Sequence, residues 1–192
     1  VKFYYGYYMG TFYPREHLNS GYMILKQVEF YLDSSKRIDI AKNIIIGALK
    51  NIKQVVKYYN NRGKALADVI QSLEEYETKV DTCKDIPELM AVEGNARERY
   101  YKAFDRIIGN KDFVFVQRTR RPPKNHLNSL ISFRNSIIYT MVLSEIYKTH
   151  LDPRIGFLHS TNFRSFTLNL DIAEIFKPIL VDRAIFTLLG KK

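Results

Sequence analysis

The sequence lacks the residues and motifs that build several common kinds of site. Its single cysteine, Cys83, allows no internal disulfide and excludes a cysteine-rich zinc site. It contains no HExxH, GxxxxGK[ST] or GxGxxG motif and no adjacent His-Asp pair, which argues against a zincin, a nucleotide-binding fold and a helical phosphohydrolase. It also has no run of about 18 apolar residues, so we expect no membrane span.

The start of the chain also lacks a recognisable signal. No charged segment followed by an apolar one opens the sequence, and with one cysteine this favours the reducing cytoplasm. The opening VKFYYGYY, without a Met, indicates a piece of a longer protein.

Acidic residues are outnumbered by basic ones. The chain has 30 Lys and Arg against 20 Asp and Glu, a net charge of +10 and a pI of about 9.6. This excess favours a polyanionic partner, of which nucleic acid is the commonest soluble one. The alternative is a basic protein whose charge only keeps it in solution.

Hydrophobic periodicity predicts a mainly α-helical chain with a short β remnant at its front. The opening stretch to Pro14 is rich in Tyr and Phe, which favour extended structure. Apolar residues then recur at helical spacing, and Asp33 and Asp85 are predicted to cap helices. The predicted helices begin at Asn19, Asp33, Leu66, Asp85, Leu127 and Leu168, and they end at Leu32, Asn60, Tyr76, Gly109, Thr149 and Leu189.

One stretch in the middle, from Lys111 to Pro123, is poor in helix formers. Four apolar residues, FVFV, lead into a basic loop that two prolines stiffen. We expect this loop to hold a DNA backbone through salt-sensitive contacts, and the alternative is a solvated surface loop. Its basic residues are Arg118, Arg120, Arg121 and Lys124.

The fourth predicted helix carries an acid where its pattern requires an apolar residue. Glu93 falls on the same face as Leu89, Ala96 and Tyr100. A buried carboxylate needs a cation, a metal or a hydrogen-bond donor. The simpler interpretation is an ion pair with Arg97, one turn further on.

The last predicted helix repeats this anomaly. Asp171 and Glu174 project to one side of it, and His159 stands in the loop before it. Here the simpler interpretation gives Asp171 a capping role near the helix start and pairs Glu174 with Lys177. That interpretation leaves His159 without a role.

One histidine with two or three carboxylates suits a divalent metal that keeps open coordination positions. Mg²⁺ and Mn²⁺ prefer such oxygen ligands, and Mn²⁺ accepts imidazole more readily. Iron can use the same set, but iron-dependent oxygenases with these ligands are mostly built of strands, whereas this sequence is helical.

Four segments resemble a known family, the CRISPR-associated spacer-acquisition integrase, which is the large subunit of the CRISPR adaptation complex. They are GTFYPREHLNSG, AVEGNARERYY, RPPKNHLNSLISF and IGFLHSTNFRSFTLNLDIAEIFKPILVDR. They occur in the expected order over nearly the whole chain, and the spacing of Glu93, His159 and Glu174 also matches. The variant is similar to those of type I systems.

This resemblance implies an amino-terminal β domain followed by a helical catalytic domain. Residues 1–16 would then be the tail of the β domain with its linker. Residues 17–192 would form a multi-helix, metal-dependent DNA-processing bundle that stops before the family's final helical segment.

The resemblance also implies the functional residues. Residues matching Glu93, His159 and Glu174 hold the catalytic Mg²⁺ or Mn²⁺, and Asp171 matches a further acid that lies at the site in some members. Lys177 and Asn128 match positions beside the bound DNA. The sequence departs from the family at Arg134, where relatives usually carry a small residue.

The implied function is that of a DNA endonuclease and integrase. Phosphodiester cleavage and transesterification insert new spacers into a CRISPR array, with double-stranded DNA (the prespacer and the CRISPR repeat) as substrate. The implied partners are a second copy of the chain and a small ferredoxin-like subunit. The alternative function is a non-catalytic, basic, helical nucleic-acid-binding module in which the acids only pair with Arg97 and Lys177.

Overall fold

The computed structural model describes the backbone of residues 2–4 and 7–10, together with residues 20–119, 122–161 and 166–190. In these ranges two antiparallel strands precede a set of helices. The strands are β1 (Lys2–Tyr4) and β2 (Tyr7–Gly10), and the helices are α1 (Gly21–Leu32), α2 (Ser34–Asn60), α3 (Ala67–Thr82), α4 (Ile86–Lys102), α5 (Phe104–Ile108), α6 (His126–Ile146), α7 (Leu168–Phe176) and α8 (Arg183–Leu189).

This architecture confirms the predicted mainly α class with a short β segment at its front. The predicted boundary between residues 16 and 17 lies outside the described residues, so the division into two domains stays a prediction. No helix in the described part of the chain is long and apolar enough to cross a membrane.

Helix α2 is the centre of the bundle, because α1, α3, α4 and α7 all pack against it. Its predicted apolar stripe is buried from Ala41 to Val56, and Ile38 is half-buried. A 27-residue helix with so long a buried face gains its stability mainly from packing rather than from helix propensity.

Local signals fix several helix ends as predicted. The Asp33 carboxylate accepts the N–H groups of Ser35 and Lys36, and Asp85 accepts that of Glu88 at 2.8 Å. Gly109 follows α5 at φ +64°, a left-handed conformation that favours glycine.

The fourth predicted helix is interrupted. It was expected to continue from Asp85 to Gly109, but the structure breaks it at Ala103 into α4 and α5. Phe104 and Tyr100 meet edge to face across this break, with ring centroids 5.0 Å apart. Both rings are fully buried in the core.

The last predicted helix is also not regular. A π-helical turn, Lys177–Asp182, separates α7 from α8. Pro178 lacks the amide hydrogen that a regular helix would need there, and the side-chain amide of Asn51 donates to the carbonyl of Ile175 at 2.8 Å. Turns of this kind are frequent at functional sites.

Candidate active site

His159 is held by Asp171, the first acid of α7. Asp171 is fully buried, and its Oδ1 lies 2.7 Å from Nδ1 of His159 and accepts the backbone N–H of the same residue at 2.9 Å. Its Oδ2 accepts the N–H groups of Phe157 at 2.6 Å and Leu158 at 2.9 Å. Because an ionised carboxylate only accepts, Nδ1 carries the proton, and Nε2 is left to bind a ligand.

Asp171 lies in α7, but its carboxylate binds the loop that precedes this helix. Among the described residues no side chain caps α7 by a hydrogen bond, so the simpler interpretation of Asp171 as a capping residue does not account for its contacts. The carboxylate turns instead toward residues 157–159, where three consecutive amides point at it. Clusters of this kind are an efficient way to stabilise a buried negative charge.

Gly156 makes this approach possible. Its N–H donates to Oγ1 of Thr167 at 2.9 Å. A Cβ at position 156 would lie 2.8 Å from Oδ2 of Asp171 and 2.8 Å from the carbonyl carbon of Thr167. Any side chain here would therefore push the loop away from α7.

The first two helices fix the other side of the loop. Buried Gln27 accepts the N–H of Asp152 at 2.6 Å and donates to its carbonyl at 3.2 Å. Arg37 donates from Nε to the carbonyl of Phe157 at 2.8 Å. The loop that carries His159 is thus held by α1, α2 and α7 together.

Glu174, one turn after Asp171, is a buried carboxylate between two cations. It accepts hydrogen bonds from Nη2 of Arg97 and from Nζ of Lys177. Burial raises the pKa of Glu174, but the opposing effect of the cations Arg97 and Lys177 is larger, and the pKa falls from 4.5 to about 2. Glu174 is therefore ionised at neutral pH.

Arg97 links Glu174 to Glu93. Its Nε donates to Oε1 of Glu93 at 2.9 Å while its Nη2 reaches Glu174. Burial lowers the pKa of Arg97, but Glu174 and Glu93 raise it well above its ordinary range, so the guanidinium stays charged. The two carboxylates from α4 and α7 consequently lie on either side of one cation.

Lys177 opens the π-helical turn and is 6% exposed. Its Nζ binds Glu174 and lies 4.8 Å from the centre of the Tyr139 ring. Burial lowers the pKa of Lys177, but Glu174 and Tyr139 raise it overall. The predicted role of Lys177 beside DNA stays a prediction. In the structure its ammonium group forms an ion pair with Glu174.

The three predicted metal ligands thus converge only in part. Glu93 and Glu174 share Arg97, and His159 lies near enough to Glu174 to act on it electrostatically. Within the described ranges, however, no group of three or more His, Cys, Asp or Glu side chains is arranged to hold a metal ion. Both ion pairs of the simpler interpretation, with Arg97 and with Lys177, are present.

Asn128 and Arg118 anchor the basic loop to α6. Asn128 is fully buried, accepts from Nη1 of Arg118 at 3.0 Å and donates to the carbonyl of Gln117 at 2.9 Å. Arg118 also donates to Oγ of Ser132 at 3.0 Å. The structure therefore gives both residues a part in holding the loop, and direct contact of either with DNA stays a prediction.

The other basic residues of the loop are Lys124, Arg120 and Arg121. Lys124 is exposed, and its backbone N–H donates to Oγ1 of Thr119 at 2.9 Å. Arg120 and Arg121 lie outside the described residues. Among the four apolar residues that lead into this loop, Phe115 is buried, whereas Val114 is 44% exposed and Val116 is 75% exposed.

The sequence did not predict that Asp182 and Tyr100 are buried polar neighbours of the site. Asp182, at the end of the π-helical turn, is 2% exposed, and Tyr100 on α4 is fully buried. Burial raises the pKa of Asp182 to about 7, although Arg97 and Tyr100 oppose that rise. Regular helical spacing does not predict this position for Asp182, because the π-helical turn shifts the phase of the helix.

Comparisons with known proteins extend these observations. A family profile described as "CRISPR associated protein Cas1" matches residues 3–192. The chain is 61% identical over 189 residues to a CRISPR-associated endonuclease Cas1 of Thermodesulfovibrio yellowstonii, covering 98% of this chain and 57% of that protein. It is 52% identical over 187 residues to a CRISPR-associated endonuclease Cas1 of Thermotoga maritima, covering 97% of this chain and 56% of that protein.

A solved structure has the same architecture. The Cas1 protein TM1797 of Thermotoga maritima superposes with a TM-score of 0.84 at 52% identity, over 97% of this chain and 58% of that one. The chain therefore spans little more than half the length of the relatives that it matches. On the match of nearly all its residues, the chain belongs to the Cas1 family of CRISPR-associated proteins.

Proposed function

We propose that this chain is the catalytic part of a divalent-metal-dependent DNA endonuclease and integrase of CRISPR adaptation. It would cleave phosphodiesters and insert new spacers into a CRISPR array by transesterification. Family membership and relatives named as endonucleases support the reaction class. The proposal rests on two observed contacts: Asp171 holds His159, and Arg97 joins Glu174 to Glu93.

The chemistry of these side chains fits a hard divalent cation. Glu93 and Glu174 supply carboxylate oxygens on two sides of one guanidinium, and Glu174 is ionised. The proton on Nδ1 of His159 leaves the lone pair of Nε2 free to bind a metal ion, with Asp171 as the carboxylate that orients the ring. We propose that Glu93, His159 and Glu174 hold the ion and that Mg²⁺ or Mn²⁺ is the metal.

A bound ion of this kind polarises the phosphoryl oxygen and offsets the charge that develops on the attacking and leaving oxygens. The chain's own residues provide the setting for that chemistry. Asp171 keeps the imidazole oriented, and buried Lys177 keeps Glu174 ionised. In the reaction, a 3′-hydroxyl of a captured fragment would attack a phosphate at the repeat boundary, forming a new P–O bond as the bond to the 3′-oxygen of the target strand breaks and that strand leaves with a free 3′-hydroxyl. Water attacking the same phosphate instead would give nicking.

The charge of the chain suits a DNA substrate. A net charge of +10 favours binding to a polyanion, and exposed Lys124 lies on the loop that Asn128 and Arg118 anchor. We propose that this loop contacts the DNA backbone, with Arg120 and Arg121 as further contacts. Its contribution would be to position the duplex rather than to read its sequence.

The proposed partners follow from the family resemblance. They are double-stranded DNA as prespacer and CRISPR repeat, a second copy of the chain, and a small ferredoxin-like subunit of the adaptation complex. We propose the cytoplasm as the place of action, since CRISPR arrays and their DNA substrates are found there.

The proposal is tested by replacing Glu93, His159 and Glu174 singly with Ala and measuring strand joining and nicking of a branched DNA with Mn²⁺. Each variant should lose activity by at least about 100-fold, as expected for loss of a catalytic or metal-binding group. Glu98→Ala is the matched control, because Glu98 is an exposed acid on the same helix, paired with Lys102 at 2.7 Å. Undiminished joining by any of the three variants would refute the ligand assignment.

The ion pairs favour a second candidate, a non-catalytic DNA-binding module. Arg97 and Lys177 already satisfy Glu93 and Glu174, as such a module requires. A titration with Mn²⁺ separates the two candidates. A module would bind DNA in a salt-dependent way but show neither Mn²⁺ binding nor metal-dependent nicking.

A further inference from the structure

Two exposed arginines contact one tyrosine at the end of α2. The guanidinium carbon of Arg62 lies 4.2 Å from the centre of the Tyr58 ring, and that of Arg183 lies 5.6 Å from it. Arg62 stands in the turn after α2, and Arg183 is the first residue of α8. The two guanidinium carbons are therefore no further apart than the sum of these distances, about 10 Å. We call these three residues the Tyr58 patch.

The Tyr58 patch stands on a packed aromatic support. The Tyr58 ring, 38% exposed, meets the Tyr59 ring edge to face with centroids 5.0 Å apart. Tyr59 meets Phe186 of α8 in the same way at 5.2 Å, and Phe186 is buried. This support joins α2 to α8, so it fixes the ring that both arginines contact. Charged groups that are held in place before binding lose less conformational entropy when a ligand arrives.

Neither arginine of the patch has its charge paired with an acid in the part of the chain that the structure describes. Exposed Arg106 shows the usual alternative, because it donates to Asp68 at 2.8 Å. A cation–π contact neutralises no charge and leaves the N–H donors of a guanidinium for another acceptor. Phosphate oxygens are such acceptors, and arginine binds them through two parallel hydrogen bonds.

The Tyr58 patch lies on the same helical run as the candidate active site. Arg183 directly follows the π-helical turn that Lys177 opens, and Lys177 binds Glu174. At 1.5 Å per residue, the backbone from Glu174 to Arg183 rises by at most about 13 Å. One turn of B-DNA is about 34–36 Å long, so both places lie within the length of a short duplex.

We propose that Arg62 and Arg183 bind phosphates of the DNA backbone and that Tyr58 sets the distance between them. Each strand of B-DNA carries one phosphate for about every 3.4 Å of its axis, so guanidinium groups up to about 10 Å apart reach different phosphates. The net charge of +10 favours such a polyanion. Contacts of this kind position a duplex without reading its sequence.

This inference rests on the proposed DNA substrate and is independent of the proposed metal site. It adds a second contact to that of the loop with Lys124, on different elements of the fold. DNA binding can therefore be measured in EDTA, where no divalent metal contributes and no strand is cut.

The experiment measures fluorescence anisotropy of a labelled duplex of about three turns, with the full chain, over a series of salt concentrations. Arg62→Gln and Arg183→Gln should each lower the slope of log K against log salt by about 1, and the double variant should lower it by about 2. Lysine at both positions should keep the wild-type slope, because it keeps the charge.

Arg106→Gln is the matched control, since this exposed arginine is already bound to Asp68, and its slope should equal that of the wild type. Melting temperatures identify any variant that fails to fold. If Arg183→Gln fails, Arg62→Gln decides by comparison with Arg106→Gln, because Arg62 lies in a turn outside the helices.

The outcomes separate this inference from the proposed function. A wild-type slope in the double variant overturns the patch, and so does an equal fall in Arg106→Gln, which would reflect total charge alone. Loss of nicking in Glu174→Ala beside an unchanged slope in the double variant leaves the proposed function standing. Full nicking in Glu174→Ala beside a lowered slope leaves the patch standing and refutes the ligand assignment. A wild-type chain that binds no duplex overturns both proposals.

Discussion

The Asp171 carboxylate lies 2.7 Å from Nδ1 of His159 and also accepts the backbone N–H groups of residues 157–159. One buried acid therefore fixes both the path of the loop and the orientation of its imidazole. A histidine on a loop would otherwise be free to rotate, so its use as a ligand depends on this contact.

Asp171→Asn should impair both stability and activity. The amide that replaces one carboxylate oxygen cannot accept N–H donors, so at least one buried amide loses its partner at a cost of about 1–3 kcal/mol. We expect a lower melting temperature and a loss of metal-dependent nicking of about 10-fold to 100-fold.

Asp33→Asn is the control for that change. Asp33 caps α2 through the N–H groups of Ser35 and Lys36, and Asn is an equally good capping residue. It should leave stability and nicking near the wild-type values. Full activity in Asp171→Asn would contradict the positioning role of the carboxylate.

Gly156→Ala should destabilise the chain. The added Cβ would lie 2.8 Å from both Oδ2 of Asp171 and the Thr167 carbonyl carbon, and overpacking of this kind costs about 1–3 kcal/mol. Gly94→Ala offers the opposite case, because a Cβ there meets no atom within 4 Å and α4 is a regular helix at that point.

Thermal unfolding of the two glycine variants checks this contrast. Gly94→Ala should stabilise the chain by up to about 1 kcal/mol, the difference in helix propensity between Gly and Ala. Equal melting temperatures for the two variants would show that the approach of Gly156 to Asp171 is not tight.

Glu174 should make the chain sensitive to acid. Its pKa in the folded chain is about 2, below its ordinary value of 4.5, so its contribution to stability is full above pH 4.5 and is lost as the pH falls toward 2. Glu174→Gln leaves Arg97 and Lys177 without their shared anion, which costs about 3–5 kcal/mol at pH 7.

Denaturant unfolding at several pH values tests this expectation. The gap between wild type and Glu174→Gln should be wide at pH 7 and narrow as the pH falls from about 5 to about 2. Glu98→Gln removes an exposed ion pair to Lys102, so it should change stability by less than about 1 kcal/mol. A gap that does not depend on pH would contradict the lowered pKa of Glu174.

Asp182 should lower the stability of the chain as the pH rises, which is the opposite of the effect of Glu174. Its pKa in the folded chain, about 7, lies above its ordinary value of 3.8, so the stability it contributes is full below pH 3.8 and is lost as the pH rises through 7. The side chain of Asp182→Asn does not ionise, so the stability of this variant should not fall in that way as the pH rises. The variant should match the wild type near pH 4 and exceed it at pH 8 by a few kcal/mol, as measured by urea unfolding.

Lys124→Ala should weaken DNA binding without affecting the fold. Its side chain is exposed, and loss of one phosphate contact lowers the slope of log K against log salt by about 1. Lys102→Ala is the control, as this exposed lysine on α4 pairs with Glu98. Identical salt slopes for the two variants would exclude Lys124 from the DNA contact.

Much of the fold was predictable because its signals are local. The buried stripe of α2, the caps at Asp33 and Asp85 and the turn at Gly109 each depend on residues a few positions apart. The break at Ala103 has no such local signal, and the π-helical turn combines a local one, Pro178, with a long-range contact, the hydrogen bond from Asn51 to Ile175. No hydrophobic period read along the chain contains that information.

The site was predictable in its residues but not in their partners. Acids on the inner faces of two helices pointed to Glu93 and Glu174, and the loop before the last helix pointed to His159; the resemblance then gave all three the role of metal ligands. Spacing along one helix finds the pairing of Arg97 with Glu93, but the bond from Arg97 to Glu174 joins residues 77 positions apart. Contacts of that range follow only from the packed structure.

The π-helical turn also determines how the chain tolerates change in length. Phe186 on α8 packs 4.6 Å from the Phe104 ring and 5.2 Å from the Tyr59 ring, measured between centroids. The six residues of this turn rotate the chain about as far as five residues of a regular helix, so deleting one residue between Lys177 and Asp182 would restore a regular helix and leave α8 close to its present orientation. Phe186 would then stay in the aromatic cluster, so this segment should tolerate the loss of one residue better than a regular helix would.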